Sequence, residues 1–301
     1  MSRYHRRLLK HCRLSPGRPV HLDRLDPVGA HLERWVLPGE APLKVRAEGL
    51  LEHSRMELAH QQERLYASAS HAVLIILQGM DAAGKDGTIK HVMSGVSPQG
   101  CEVHSFAEPS REELAHSFLW RAWQRMPARG RIGIFNRSYY EEVLITRVHP
   151  ELLAEEGIAP ARRGAALWRE RYEDINALER HLVRSGTLVL KFFLNVSKAE
   201  QRRRLLERLE RRQKLWKFSL ADVRERRYWD AYQTAYEAVL RATSTAWAPW
   251  YVIPADDKHL ARACVAAMIS GSIAGLPLQP PTGPFPSPAA RARARRALLR
   301  S

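Results

Sequence analysis

The chain has 301 residues, 45% of them hydrophobic, a formal charge of +16 and a pI near 10.2. That length can bury a full core, and one α/β domain with appended segments is the economical organisation, two domains being allowed but not required. The charge calls for a polyanionic partner, which is nucleic acid, an acidic lipid surface or a phosphate polymer.

The charge sits mostly at the ends. Residues 1–18 carry six Lys or Arg and residues 276–301 carry five, with no acid in either segment, so +11 lies there and +5 on the middle. Cys12, Cys101 and Cys264 are too scattered for a disulfide framework or a zinc site, as in a reducing cytoplasm. The basic start lacks the apolar core of a signal peptide. The longest apolar stretch, around Cys264 to Leu276, is too short to span a bilayer, so a cytoplasmic protein without a membrane partner is expected.

Residues 1–44 mix Arg, His, Pro and Gly without a sustained period and are expected to form an irregular arm. From about Val45 to Ala67, Leu51, Leu58 and Leu65 fall on one side of a long helix, packed on the core or on a second subunit. The run Ala72 to Leu77 has no polar alternation, the pattern of a strand covered on both faces in a parallel sheet. It leads into Gly79-Met80-Asp81-Ala82-Ala83-Gly84-Lys85-Asp86-Gly87-Thr88. A buried strand ending in Gly-x4-Gly-Lys and passing into a helix gathers backbone N–H groups and one ammonium at a helix N-terminus, the geometry a polyphosphate group needs. Gly79, Ala82, Ala83, Gly84, Asp86, Gly87 and Thr88 are the expected phosphate-binding positions. Asp86 stands where Ser or Thr commonly holds Mg2+, and Asp81 is a carboxylate inside the loop. Phosphates repel such a carboxylate unless a cation lies between them, so Asp81 is read as a metal anchor or general base.

A helix to about Gly95 and a turn at Ser97 to Gly100 precede a second strand, Cys101 to Phe106. Ser110-x-x-Glu113 has the form of a capping box for a helix with Leu114, Phe118, Ala122 and Met126 inward. The third strand, Arg131 to Phe135, delivers Asn136-Arg137-Ser138-Tyr139-Tyr140-Glu141-Glu142 to the edge where open α/β sheets bind ligands. Asn136 replaces the Asp that commonly holds Mg2+ through water, and forked Arg137 suits bridging phosphates. Glu141 is either the capping partner of Ser138 or, with Asn136, Glu142 and Arg147, part of a nucleotide site.

A helix from about Arg162 to Arg184 and a fourth strand, Thr187 to Val196, follow. Ser197-x-x-Glu200 caps a helix with Arg204, Arg208 and Arg211 on one face, and Gln213 to Ser219 forms a mobile corner carrying Lys214 and Lys217. The stretch Glu200 to Arg227 holds eleven Lys or Arg against five acids. Residues 197–227 are the candidate lid. A helix to about Ala242, a fifth strand, Trp247 to Pro254, and a last helix to about Gly275 complete the domain, residues 45–275. Residues 276–301, rich in Pro and then Ala/Arg, cannot bury a core and are expected to be a disordered basic tail.

The loop Gly79 to Thr88, the segment Phe135-Asn136-Arg137-Ser138-Tyr139-Tyr140-Glu141, Ser197-Lys198 followed by Gln201 and Arg204, and Lys214-x-Trp216-Lys217 together resemble the polyphosphate kinase 2 family. The resemblance spans roughly Leu50 to Gly275. It implies a thymidylate-kinase-like P-loop kinase fold, a three-layer α/β sandwich with a five-stranded parallel sheet and a helical lid. The implied activity is reversible transfer of the terminal phosphoryl group of inorganic polyphosphate to a nucleotide, with Mg2+ or, as an alternative, Mn2+. By the same resemblance Asp81, Lys85 and Arg137 line the transfer site, Asp81 and Asn136 serve the metal, and Arg204, Arg208, Lys214 and Lys217 guide the polymer. Asn136 resembles the subgroup that takes AMP to ADP to ATP, with GMP and GDP as further acceptors to test, and a homo-oligomer is expected. The competing readings are an ATP-dependent nucleotide kinase of the same fold and a basic nucleic-acid-binding protein; nucleic acid is otherwise expected to bind only non-specifically, through the termini.

Overall fold

The computed structural model describes residues 3–279, 281 and 287–300. Helices α1 (Arg3–Cys12) and α2 (Ala30–Val36) precede the long α3 (Leu43–Ser68). Strand β1 (Ala72–Gln78) runs through the phosphate loop into α4 (Lys85–Val92), and β2 (Cys101–Ser105) is followed by the short α5 (Arg111–Leu114) and α6 (Trp120–Trp123). Then come β3 (Ile132–Asn136), α7 (Glu141–Val148), α8 (Ala165–Arg184), β4 (Thr187–Asn195), α9 (Lys198–Glu210), α10 (Leu220–Glu225) and α11 (Trp229–Thr243). The series ends with β5 (Trp250–Pro254), α12 (Lys258–Ala274) and α13 (Pro288–Leu298).

The strands form one parallel sheet in the order β2-β3-β1-β4-β5. Strand β1 lies at its centre, Ile75 opposite Ile134 on one side and Leu190 on the other, and all seven of its residues are buried. Helices α3, α4 and α12 pack together as one outer layer and α7, α8 and α11 as the other. Covering both faces is why the central strands carry continuous apolar runs.

Three sequence expectations need correction. The arm expected to be irregular over residues 1–44 holds two helices, α1 and α2, among its described residues, and α1 buries His5, Leu8 and Cys12, one side of a helix short enough to be masked by its arginines. It docks on α12 at Gly271, where a Cβ would stand 2.4 Å from the His5 ring, so only glycine admits this approach. The helix expected after Ser110 breaks in two. Its capping box forms, but Arg121 turns inward to the Ala107 carbonyl and the Glu142 carboxylate, and of the expected stripe only Ala122 is fully buried. In the tail, α13 is a helix capped by Ser287 with no buried side chain. An Ala/Arg sequence has high helix propensity even where it can bury no core. No helix among the described residues is long and apolar enough to cross a membrane.

Behind the sheet's ligand edge lies a buried polar knot. Lys191, on β4 and fully buried, donates to Glu179 (2.6 Å), the Thr243 carbonyl (2.6 Å) and the Tyr140 hydroxyl (3.0 Å). The hydroxyls of Tyr139 and Tyr140 donate to the other Glu179 oxygen at 2.9 and 2.7 Å. Burial holds the Lys191 ammonium below its ordinary range while Glu179 pulls it back up, so the charge depends on its partner. Lys191→Met, which strands the Glu179 carboxylate in the core, is expected to cost about 3–5 kcal/mol by urea denaturation, against about 1 kcal/mol for Tyr139→Phe. Equal midpoints for Lys191→Met and the parent would refute this account of the knot.

Candidate active site at the C-terminal edge of the sheet

The loop between β1 and α4 has the shape its sequence requires. Gly79 (φ 151°) and Gly84 (φ 111°) occupy the left-handed region, and a Cβ on Gly79 would meet the Leu194 carbonyl at 2.8 Å. Ala82 and Arg137 adopt positive φ without being glycines, at 59° and 64°, a conformation that costs about 1–2 kcal/mol each and persists only where the surroundings hold it. For Arg137 the hold is visible. Its N–H donates to the Leu77 carbonyl, and the next residue, Ser138, accepts at 3.1 Å from the amide of Gln78, the last residue of β1. Both side chains are buried, so this bond fixes the phosphate loop and the Arg137 turn to one another.

Lys85 folds back onto its own loop, its ammonium 2.6 Å from the Gly79 carbonyl and 3.3 Å from that of Met80. Burial, and next the charge of Arg137, lower its pKa. The guanidinium of Arg137 reaches Asp81 at 2.8 Å, and the nearby Glu141 carboxylate is the largest influence raising its pKa further. Glu141 is not the capping partner of Ser138: the Ser138 hydroxyl accepts from the Tyr140 N–H instead, and α7 has no side-chain cap. Glu141 lines the cleft, its pKa raised by burial although Arg137 and Lys85 pull it down. Asp222, on α10, also lines it, its pKa raised by burial and by the charge of Asp81. Sequence reading missed Asp222 because its carboxylate comes from a lid helix remote in the chain, with no motif of its own.

Two clefts meet at Asp81, Arg137 and Asp222. The larger, about 590 Å³, is walled by the phosphate loop from Ala82 to Gly87 and by basic side chains, among them Arg203, Arg208, Lys214, Lys217, Lys258 and Arg262. The other, about 400 Å³, is acidic and aromatic, with Glu141, Glu225, His149, Tyr232 and Tyr236 on its walls. His149 and Tyr232 both contact the Glu225 carboxylate, at 2.9 and 2.8 Å, joining the end of α7 to the lid segment. Neither Tyr232 nor Arg262 carried a signal at the sequence level, since a helical aromatic and an isolated cation read as core and as solvated surface; Lys258 carried a weak one, in Asp256-Asp257-Lys258 at the end of the fifth strand on the ligand edge.

The remaining expected residues divide. Asn136 donates to Asp86 at 2.8 Å and to Ser105, and Lys217 reaches the other Asp86 oxygen at 3.5 Å. Burial raises the Asp86 pKa, but the Asn136 amide and the Lys217 charge outweigh it and hold the carboxyl low. Arg208 binds Asp222 and Lys214 binds Glu207, so the basic wall is tied down by its own acids. Arg204 lines the basic cleft but is spent on the backbone, donating to Ala82, Ala83, Ala255 and Asp256 carbonyls and to Glu200. It braces the loop, and Gln201 does likewise at the Asp81 carbonyl. Thr88, on the inner side of α4, is buried among apolar side chains. Glu142 and Arg147 do not reach the clefts around Asp81. Glu142 pairs with buried Arg121 at 2.6 Å, its pKa pushed up to about 7 by burial, and Arg147 bonds the Tyr172 hydroxyl beside Trp168. Both lie on α7, on which Glu141 and Ile145, one turn apart, face the cleft, and the 100° step per residue turns Glu142 and Arg147 to the two flanks.

Asp81, Asp222 and Glu141 line one cleft with carboxylates, hard oxygen of the kind a divalent cation takes, although the three are not gathered within 4.8 Å of one another. The raised Asp222 pKa marks a carboxylate repelled by Asp81 as well as buried, a pair that a bound cation would relieve.

The Polyphosphate kinase 2 (PPK2) family model matches residues 44–277. An ADP-polyphosphate phosphotransferase of Rhodopseudomonas palustris is 52% identical over 233 residues, 77% of this chain and 81% of that protein. An AMP/ADP-polyphosphate phosphotransferase of Meiothermus ruber is 42% identical over 273 residues, 91% and 96% of the two chains. The crystal structure of polyphosphate kinase 2 from Arthrobacter aurescens superposes with a TM-score of 0.86 at 36% identity, covering 100% of this chain and 99% of that one. A five-stranded parallel sheet, a phosphate loop at its edge, a basic cleft beside it and these likenesses have one consistent explanation: the chain belongs to the polyphosphate kinase 2 family.

Proposed function

We propose that the protein transfers the terminal phosphoryl group of inorganic polyphosphate to AMP and ADP, reversibly. The observation that carries this reading is the meeting of two clefts of opposite character at Asp81, Arg137 and Asp222. A phosphate polymer has charge and no base, and the basic cleft offers many cations around one aromatic, the largely buried Phe106. A nucleotide has a base as well as phosphates, and the second cleft offers Tyr232, Tyr236 and His149 within a volume suited to a small ligand. The names of the two relatives above supply the donor and the acceptors.

In the transfer, an oxygen of the nucleotide's terminal phosphate forms a bond to the terminal phosphorus of the polymer. The bond from that phosphorus to the bridging oxygen breaks, and the polymer leaves one unit shorter. Such a transition state is loose, so the protein's work is to position the groups and neutralise charge. Lys85 and Arg137 stand on the transferring group, the N–H groups of the loop at its oxygens, and Lys214 and Lys217 on the polymer behind it. Asp81 and Asp222 would hold Mg2+, or Mn2+ in its place, which supplies charge neutralisation between donor and acceptor phosphates when bound. Asn136 keeps Asp86 in position from the neighbouring strand.

The test is incubation with polyphosphate and Mg2+ and, separately, AMP, ADP, GMP and GDP, with the products resolved. ADP and ATP are expected from the adenine acceptors, and no product with any nucleotide would sink the reading. Lys85→Ala and Arg137→Ala are each expected to lower kcat at least about 100-fold with the urea midpoint retained; near-parental rates would remove these residues from the transfer site.

The pH dependence follows from the carboxylates. Burial and Asp81 hold Asp222 above the ordinary aspartate range, and burial holds Glu141 above the ordinary glutamate range. As pH falls through those raised values the cleft loses negative charge and its hold on a cation, so kcat/KM falls with acidity. Asp222→Asn removes one of the two titrations, lowering the plateau and flattening the acid limb. A pH profile unchanged in shape and height would exclude Asp222.

A further inference from the structure

The polymer is far longer than any cleft, and the structure offers a second place for it. Helix α1 is sharply two-sided: His5, Leu8 and Cys12 are buried, while Arg3, Arg6 and Lys10 are exposed on the opposite side. Positions 3, 6 and 10 follow the i, i+3, i+7 spacing of one helical face. Arg7, on the same side, is anchored, donating to the Trp35 carbonyl at 2.8 Å. No acid precedes Asp23 in the chain, and Glu33 of the adjoining α2 is already paired with Arg46. Exposed Arg34 extends the positive surface onto α2.

This stripe is held at a fixed place relative to the transfer site. Its inner face docks on α12, whose first turns supply Lys258 and Arg262 to the basic cleft. A helix of 17 residues is about 25 Å long, so α1 lies within a short span of polymer from the cleft. Of Tyr4 and Trp35, the exposed aromatics on α1 and α2, the Trp35 ring is already stacked with His11 and covered by the Arg34 guanidinium at 5.4 Å, which leaves the Tyr4 ring among the charges. One tyrosine falls short of the succession of rings on which a single-stranded nucleic acid stacks, so the surface addresses charge first.

We propose that the α1 stripe of Arg3, Arg6 and Lys10 is an accessory site for the inorganic polyphosphate chain, engaging the part of the polymer that extends beyond the basic cleft. The proposal rests on polyphosphate being the donor. Two attachment points on one chain raise the local concentration of the donor end at the cleft without any new contact to the transferring group. Long chains benefit and short ones cannot.

The test is the triple variant Arg3→Gln, Arg6→Gln, Lys10→Gln in the full chain, which leaves the buried side of α1 intact. KM is measured for long-chain polyphosphate and for a short oligophosphate at saturating ADP. A rise of roughly three- to tenfold for the long chain alone is expected, with kcat, the KM for ADP and the short-chain KM unchanged. A second full-length variant removes three charges elsewhere, Arg291→Gln, Arg293→Gln and Arg295→Gln on α13. An unchanged long-chain KM in the α1 variant overturns the proposal, and so does an equal rise in the α13 variant, which would mean net charge alone. Loss of RNA or anionic-vesicle binding in the α1 variant with polyphosphate kinetics unchanged overturns it in favour of those partners. If the parent protein turns over no polyphosphate of any length, it is the proposed function that fails.

Discussion

The Arg137 to Asp81 ion pair is the contact on which the site depends. It joins the phosphate loop to the end of β3 at the point where the two clefts meet, and it opposes two charges that the proposed reaction would need on different groups. Arg137 is forced into a left-handed backbone conformation to reach this place. The strain is tolerated because the Leu77 carbonyl takes its N–H and Gln78 grips Ser138 behind it. Substrate phosphates entering the basic cleft would compete with Asp81 for the guanidinium, and a cation would compete with Arg137 for the carboxylate. On the proposed reaction, the pair would hold the place of the charges that arrive with the substrates.

Rigidity around the pair comes from two directions. Beneath it, the Lys191–Glu179 knot fixes Tyr139 and Tyr140, which follow Arg137 by two and three residues, to β4 and α8. Above it, Arg204 ties the backbone of the loop at Ala82 and Ala83 to the turn after β5. A site that stabilises developing charge works by having its dipoles in place beforehand. Both devices serve that end through fully engaged cations, Lys191 buried and Arg204 at the cleft wall, whose loss would leave several acceptors unpaired at once.

Much of this was legible in the sequence because it is local. The Gly-x4-Gly-Lys loop, the apolar strands and the Ser197 cap are set by neighbours within a few residues, and the structure has them where they were expected. What was illegible depends on contacts across the fold. Arg204 and Lys217 have the same charge and lie in one basic segment, yet one braces the loop and the other faces Asp86 across the cleft. Glu141 and Glu142 are adjacent, and the 100° step of a helix sends one to Arg137 and the other to Arg121. Asp222 acquired meaning only when the lid segment folded over Asp81. Helix α1 hid beneath its own arginines, its pattern of three buried residues too short to stand out.

The central claim is that donor and acceptor occupy separate clefts, and the most direct measurement is KM for each substrate in two variants, one from each cleft wall. Lys214→Ala combined with Lys217→Ala is expected to raise the KM for polyphosphate while leaving that for AMP near the parental value, and Tyr232→Ala is expected to do the reverse. A rise for AMP in the lysine variant, or for polyphosphate in Tyr232→Ala, would contradict the division of the site.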